Sequence, residues 1–114
     1  MDRIDELTGI VRREVEDYAS GSWNATMHPI SDEERQSYAV ITVTDRNHVQ
    51  PFRTLVTVMA RVVGDTVIID GDITDRPLVN ELVRAGIPRE KIVLLYAGEQ
   101  VPGQDQQDIG VSTT

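Results

Sequence analysis

Residues 70–96, DGDITDRPLVNELVRAGIPREKIVLLY, carry the clearest structural signal in the chain. Asp70 to Asp75 is a polar break, after which Leu78, Val79, Leu82 and Val83 recur at helical spacing. Thr74 is expected to cap that helix, and Pro77 is tolerated in its first turn because the amide it lacks would find no intrahelical partner. Gly86 accepts the left-handed conformation that closes a helix, and Pro88 just beyond keeps the helix from resuming. The run Ile92-Val93-Leu94-Leu95-Tyr96 then reads as a strand buried on both faces.

Three β-type segments precede this stretch. Thr66–Ile69 is joined to Phe52–Val63 by Gly64-Asp65, a two-residue link whose glycine suits the positive φ of a primed hairpin turn. Tyr38–Thr44, rich in β-branched residues, is set apart from them by Asp45-Arg46-Asn47 and Pro51. In the longest segment Thr54, Val56, Val58, Ala60 and Val62 alternate with Leu55, Thr57, Met59 and Arg61, which predicts one continuously apolar face for a helix to cover. Residues 21–37 contain Gly21, Pro29 and the cluster Asp32-Glu33-Glu34 and read as an irregular connection, pinned to the body by Trp23 and Met27. Upstream, Ile4, Leu7, Val11, Val15 and Tyr18 form the stripe of an amphipathic helix from Asp2 to about Ala19, stopped by Ser20-Gly21-Ser22.

This order predicts a single α+β domain over residues 1–114: an N-terminal helix, a three-stranded antiparallel meander, a second helix and a final strand, with both helices packed on one sheet face. Residues 98–114 form a polar tail in which Val101, Ile109 and Val111 are isolated apolar residues. Because the second and last strands are apolar on both sides, the other sheet face is expected to be covered by a partner, in a homo- or hetero-oligomer.

Composition narrows the function. The 19 acidic and 11 basic side chains leave a formal charge of −8, and the arginines are scattered rather than gathered into a stripe. Such a domain repels a phosphate backbone, so no direct nucleic-acid contact is expected. The absence of cysteine excludes disulfide scaffolds and cysteine-ligated zinc or iron–sulfur sites. No apolar run approaches the roughly 18 residues of a membrane span. The start Met1-Asp2-Arg3-Ile4-Asp5-Glu6 is unlike a signal peptide, so no membrane contact and a cytoplasmic location are expected.

Reactive chemistry has little to build on. His28 and His48 lie in separate connections with no further donor nearby, so no metal site is expected there. Asp70, Asp72 and Asp75 are the densest carboxylates, and a small ligand or divalent cation held by the Asp70–Asp75 loop is the alternative reading. The loop lacks calcium-hand spacing and its closing glutamate, whereas turn and capping roles account for it. Ser20, Ser22, Ser31, Ser37 and Ser112 have no evident base, no glycine-rich phosphate loop is present, and Glu90 and Lys91 are adjacent rather than nuclease-spaced. The residues describe a binding module with no catalytic residue, metal or cofactor.

The stretch from Asp72 to Tyr96 also resembles the XisI-like proteins, the fdxN-element excision controlling factors. Asp72, Thr74 and Asp75 match that family's Asp-x-Thr-acidic turn, and Glu81-Leu82-Val83 its helix. Gly86-Ile87-Pro88-Arg89 match its cap, Ile92-Val93-Leu94 its strand, and Tyr96 its aromatic position; Tyr18-Ala19 agree in the first half. Departures are Val67-Ile68-Ile69 in place of an aromatic, Lys91 in place of an acid, Pro77 in place of glycine, and the non-aromatic Ile109-Gly110-Val111. The resemblance implies a compact α+β protein that accompanies a XisH-like, nuclease-related protein and controls excision of a DNA element by a separate recombinase. It implies no catalytic residues. The motif positions it marks are Asp72, Thr74, Asp75, Leu82, Gly86, Pro88, Ile92, Val93, Leu94 and Tyr96. An acidic accessory subunit suits a basic partner, since complementary surfaces favour encounter and exclude wrong ligands.

Overall fold

The N-terminal apolar stripe forms α1 (Arg3–Glu16) in the computed structural model, which describes residues 3–20, 25–44 and 53–101. Val11 and Val15 are fully buried along the stripe, and Asp5 and Glu6 occupy the first turn, where negative charge suits the helix dipole. The helix ends sooner than its periodicity suggests. The Tyr18 amide bonds to the Val15 carbonyl and Ala19 to Glu16, the tighter pattern of a closing turn.

Five strands follow: β1 (Ala25–Asp32), β2 (Ser37–Thr44), β3 (Arg53–Val63), β4 (Thr66–Asp72) and β5 (Ile92–Leu94), with α2 (Leu78–Arg84) between the last two. They lie in the sheet in chain order. β1 to β4 pair antiparallel and β5 joins β4 in parallel, α2 supplying the crossover that a parallel pair requires. The result is the expected α+β layer with both helices on one sheet face, but its meander has four strands rather than three.

The additional strand is β1, inside the segment read as irregular. Pro29 has no amide to give and Thr26, His28, Pro29, Ile30 and Ser31 are all exposed, so neither alternation nor composition announces a strand. An edge strand tolerates both features because one side of its backbone needs no partner. The last strand is shorter than its apolar run: Leu95–Ala97 turn away as a 3₁₀ helix closed by Gly98 at φ 92°.

Two register shifts decide which side chains face which way. One lies where Val40 pairs with Val58 and Ile41 with Val56, leaving Thr57 as the extra residue of β3. Val58, Ala60 and Val62 therefore face the helices, whereas Val56 points to the opposite face, and the expected continuous apolar stripe is split. The other shift inserts Asp70 in β4. At the β3–β4 turn the expected tight hairpin is present, with Gly64 at φ 63°.

Beneath the helices, Val11, Val15, Leu78 and Leu82 pack against Tyr38, Val40, Val58, Ala60, Val67 and Ile69. Two tyrosines tie the layers together. The buried Tyr38 hydroxyl donates to Glu33 Oε1 at 2.9 Å, and Tyr18 donates to the Arg76 carbonyl, with the Arg76 guanidinium stacked 4.2 Å from its ring centre. Burial pushes both phenols up from 10.0 to about 12; the Glu33 carboxylate adds to this at Tyr38, while Arg76 partly opposes it at Tyr18. Between pH 10.0 and about 12 the unfolded chain ionises these phenols while the folded chain keeps them neutral, so stability falls as pH rises through that window. Urea midpoints at about pH 8 and about pH 11 should show the loss, and it should shrink in Tyr38→Phe.

Candidate interaction surfaces

The Asp70–Asp75 loop is held by its own hydrogen bonds. Asp72 Oδ1 accepts from the Thr74 amide at 2.9 Å and the Thr74 hydroxyl at 2.6 Å, and Oδ2 accepts from the Leu78 amide at 2.6 Å. The cap of α2 is thus Asp72, reaching forward from the end of β4, and not Thr74. Pro77 occupies the N-cap position without a side-chain acceptor, while the Thr74 hydroxyl oxygen accepts from the Arg76 amide at 3.3 Å. Both Asp70 oxygens face Arg61 Nε, at 3.0 and 3.1 Å, and Asp75 is exposed. The acceptors a cation would need are engaged, and among the described residues no group of three His, Asp or Glu side chains is placed to hold a metal.

The other motif residues also serve the fold. Gly86 takes φ 110°, and the amides of Ile87 and Gly86 bond to the carbonyls of Leu82 and Val83, the Schellman pattern. Ile87 and Leu82 meet in the core beneath it. Pro88 accepts the Lys91 amide at 2.9 Å as it opens a 3₁₀ turn. Ile92 is buried toward the helices, Leu94 packs at the edge of the same core, and the Leu94 amide donates to Glu99 Oε1 at 2.8 Å. Tyr96 is exposed. These positions do not converge on a cavity; their geometry is that of a scaffold.

Charge is distributed in a way the net count does not reveal. Arg12, Arg13, Arg35, Arg61, Arg76, Arg84, Arg89 and Lys91 each lie within 4.0 Å of a carboxylate. Glu16, Glu34, Asp75 and Glu90 have no ion-pair partner among the described residues. These eight basic groups are locally neutralised, which with a net charge of −8 makes the outward field negative. The Arg61–Asp70 and Arg76–Tyr18 pairs were not read from the sequence. The first was accessible in principle, because the Gly64-Asp65 turn brings Arg61 opposite Ile68, close to Asp70. The second joins residues far apart in the chain and has no local signature.

Two hollows and an open face stand out among the described residues. A groove of about 320 Å³ runs between α1 and the Gly86–Lys91 segment, floored by Leu7, Ile10 and Ile87, with Lys91 and Asp65 paired at 2.8 Å on its rim. A shallower hollow lies beside Tyr18, Met27, Ile73 and Arg76. On the sheet face away from the helices, Val101 is seated with Ile68 and Val93, so the chain itself covers the β4–β5 corner. The rest of that face carries Ile30, Val56 and Val63 exposed. His28 and His48 do not meet in a described site: His28 is exposed on β1, and His48, Trp23, Ile109 and Val111 lie outside the described residues. No helix among the described residues is long and apolar enough to cross a membrane.

Known proteins share this arrangement. The crystal structure of a XisI-like protein from Anabaena variabilis is 25% identical, with a TM-score of 0.69 over 92% of this chain and 94% of that one. The crystal structure of the fdxN element excision controlling factor XisI from Anabaena variabilis has the same fold, with a TM-score of 0.65 over 91% of this chain and 99% of that one, at 18% identity. No curated protein matches the chain. The family model described as XisI protein matches residues 1–104, across both helices and all five strands, and the chain therefore belongs to the XisI protein family.

Proposed function

We propose that this chain is a non-enzymatic control factor in the excision of a DNA element, working by protein contact with a basic, XisH-like partner of nuclease fold. The description of its Anabaena relative as an excision controlling factor supports the process. The mode of action rests on one observation: eight of the eleven basic side chains are tied to carboxylates, while Glu16, Glu34, Asp75 and Glu90 have no such partner among the described residues and the net charge is −8. A negative surface repels DNA and attracts a basic protein, and it competes with nucleic acid for that protein's binding face.

Affinity purification of the full chain from its native host tests this. A XisH-like protein should co-purify, and the contact should weaken as salt rises from about 100 mM to about 500 mM, because the charges involved are exposed and screened. Recovery of the chain without such a protein, or a contact indifferent to salt, would sink the proposal. Tight binding of naked duplex by the isolated chain would do the same.

A further inference from the structure

We propose that the open face of the sheet is the contact surface for a second copy of this chain, forming a two-fold symmetric dimer. This contact is separate from the one proposed above. Cross-strand pairing lines up two rows on that face, apolar apart from His28 at the edge. His28, Ile41 and Val56 stand side by side across β1, β2 and β3, and Ile30, Ala39, Met59 and Gly71 across β1 to β4. The Val40/Ile41 register shift supplies the first row, since without it Val56 would point to the helices. Ile30 and Val56 are 52% and 49% exposed, large values for apolar residues in mid-strand.

Charge selects the occupant. A protein that recognises this chain by its charge has the acidic helix side and turns to bind, where Glu16, Glu34 and Glu90 lie in α1, the β1–β2 turn and the turn before β5. A second copy carries the same charge of −8 and is repelled from those regions. The open face carries no unpaired carboxylate to repel it: its two rows contain none, Asp32 beside them is paired with Arg35, and the neighbouring Arg61–Asp70 pair is internally neutral. Relief on the face suits self-packing as well. Ile30 and Met59 project beside Ala39 and Gly71, and the space where a Gly71 side chain would stand is empty to 4 Å. An antiparallel copy can place its Met59 and Ile30 over those small residues, as facing sheets interdigitate in a sandwich. Four strands at about 4.8 Å spacing give a contact only about 19 Å wide, which suits a micromolar dimer rather than an obligate one.

Sedimentation equilibrium of the purified full chain at about 1 to 200 µM tests the proposal. The wild type should move from monomer to dimer across that range, and more completely at high salt, the opposite of the partner contact above, because screening removes repulsion while apolar burial persists. Val56→Asp should raise the dissociation constant at least tenfold with an unchanged far-ultraviolet circular dichroism spectrum. Its side chain is half exposed in the monomer, so the fold has little to lose. Gly71→Val, filling the hollow, should weaken the dimer in the same direction. A wild type monomeric at 200 µM overturns the proposal, whether residues 102–114 or another protein then cover the face; so does a Val56→Asp variant that dimerises like the wild type.

Discussion

Leu82→Ala is expected to lower the stability of the chain by about 3 kcal/mol, and its melting temperature by roughly 12 °C. Leu82 is fully buried, and with Leu78 it is one of the two buried side chains by which α2 grips the sheet. A helix of 7 residues does not persist in water, so α2 exists because those leucines are covered. The truncation opens a cavity next to Ile87, whose contact with Leu82 accompanies the Schellman cap. Val83, the next residue and 41% exposed, provides the control: Val83→Ala should change stability by less than about 1 kcal/mol. Urea denaturation of both variants checks the prediction. Equal losses would mean that α2 is not anchored through Leu82.

Asp72→Ala is expected to cost about 2 to 3 kcal/mol, more than an ordinary helix cap. Three donors depend on this carboxylate: the amide and hydroxyl of Thr74 and the amide of Leu78. Removing it undoes the turn after β4 and leaves the first amide of α2 without an acceptor. Asp72→Asn keeps one acceptor oxygen and should recover about half of the loss. Thr74→Ala should cost less than Asp72→Ala, at most about 1 kcal/mol. If the threonine substitution proved the more damaging in chemical denaturation, the assignment of the cap to Asp72 would be wrong.

The two assignments for α2 illustrate what the sequence can and cannot express. Gly86-Ile87-Pro88 announces the helix end because left-handed backbone, buried follower and helix breaker are local demands, each met by a recognisable residue type. The helix start is different. Its acceptor lies six residues upstream of Leu78 at the end of another element, so local spacing favoured Thr74 while tertiary geometry selected Asp72. Edge strand β1 was hidden for a related reason: with one backbone edge unpaired and most side chains in solvent, Thr26–Ser31 faces none of the demands that make a strand alternate. At Thr57 one extra residue leaves composition untouched yet reverses the face of everything before it, a change no periodicity count detects.

The surfaces were legible to about the same depth. The apolar character of the second and last strands led to the expectation of a sheet face covered by a partner; among the described residues that face leaves Ile30, Val56 and Val63 exposed across β1 to β3. At the β4–β5 corner Val101 covers it instead; a single apolar residue among Gln, Gly and Pro gave no hint of that. Net charge was plain from composition. The pairing that neutralises Arg12, Arg61, Arg76 and Arg89 depends on neighbours brought together by the fold.

Strand order has a kinetic corollary. Because each strand lies beside its predecessor in the chain, β1 to β4 can zip up hairpin by hairpin with short loops to close, a topology associated with rapid assembly. β5 is the exception, since its parallel partner is reached only after α2 has swung across the sheet. Refolding should therefore show hydrogen-exchange protection in the meander before it appears at Ile92–Leu94, with the last strand acting as the bolt that locks an already formed door.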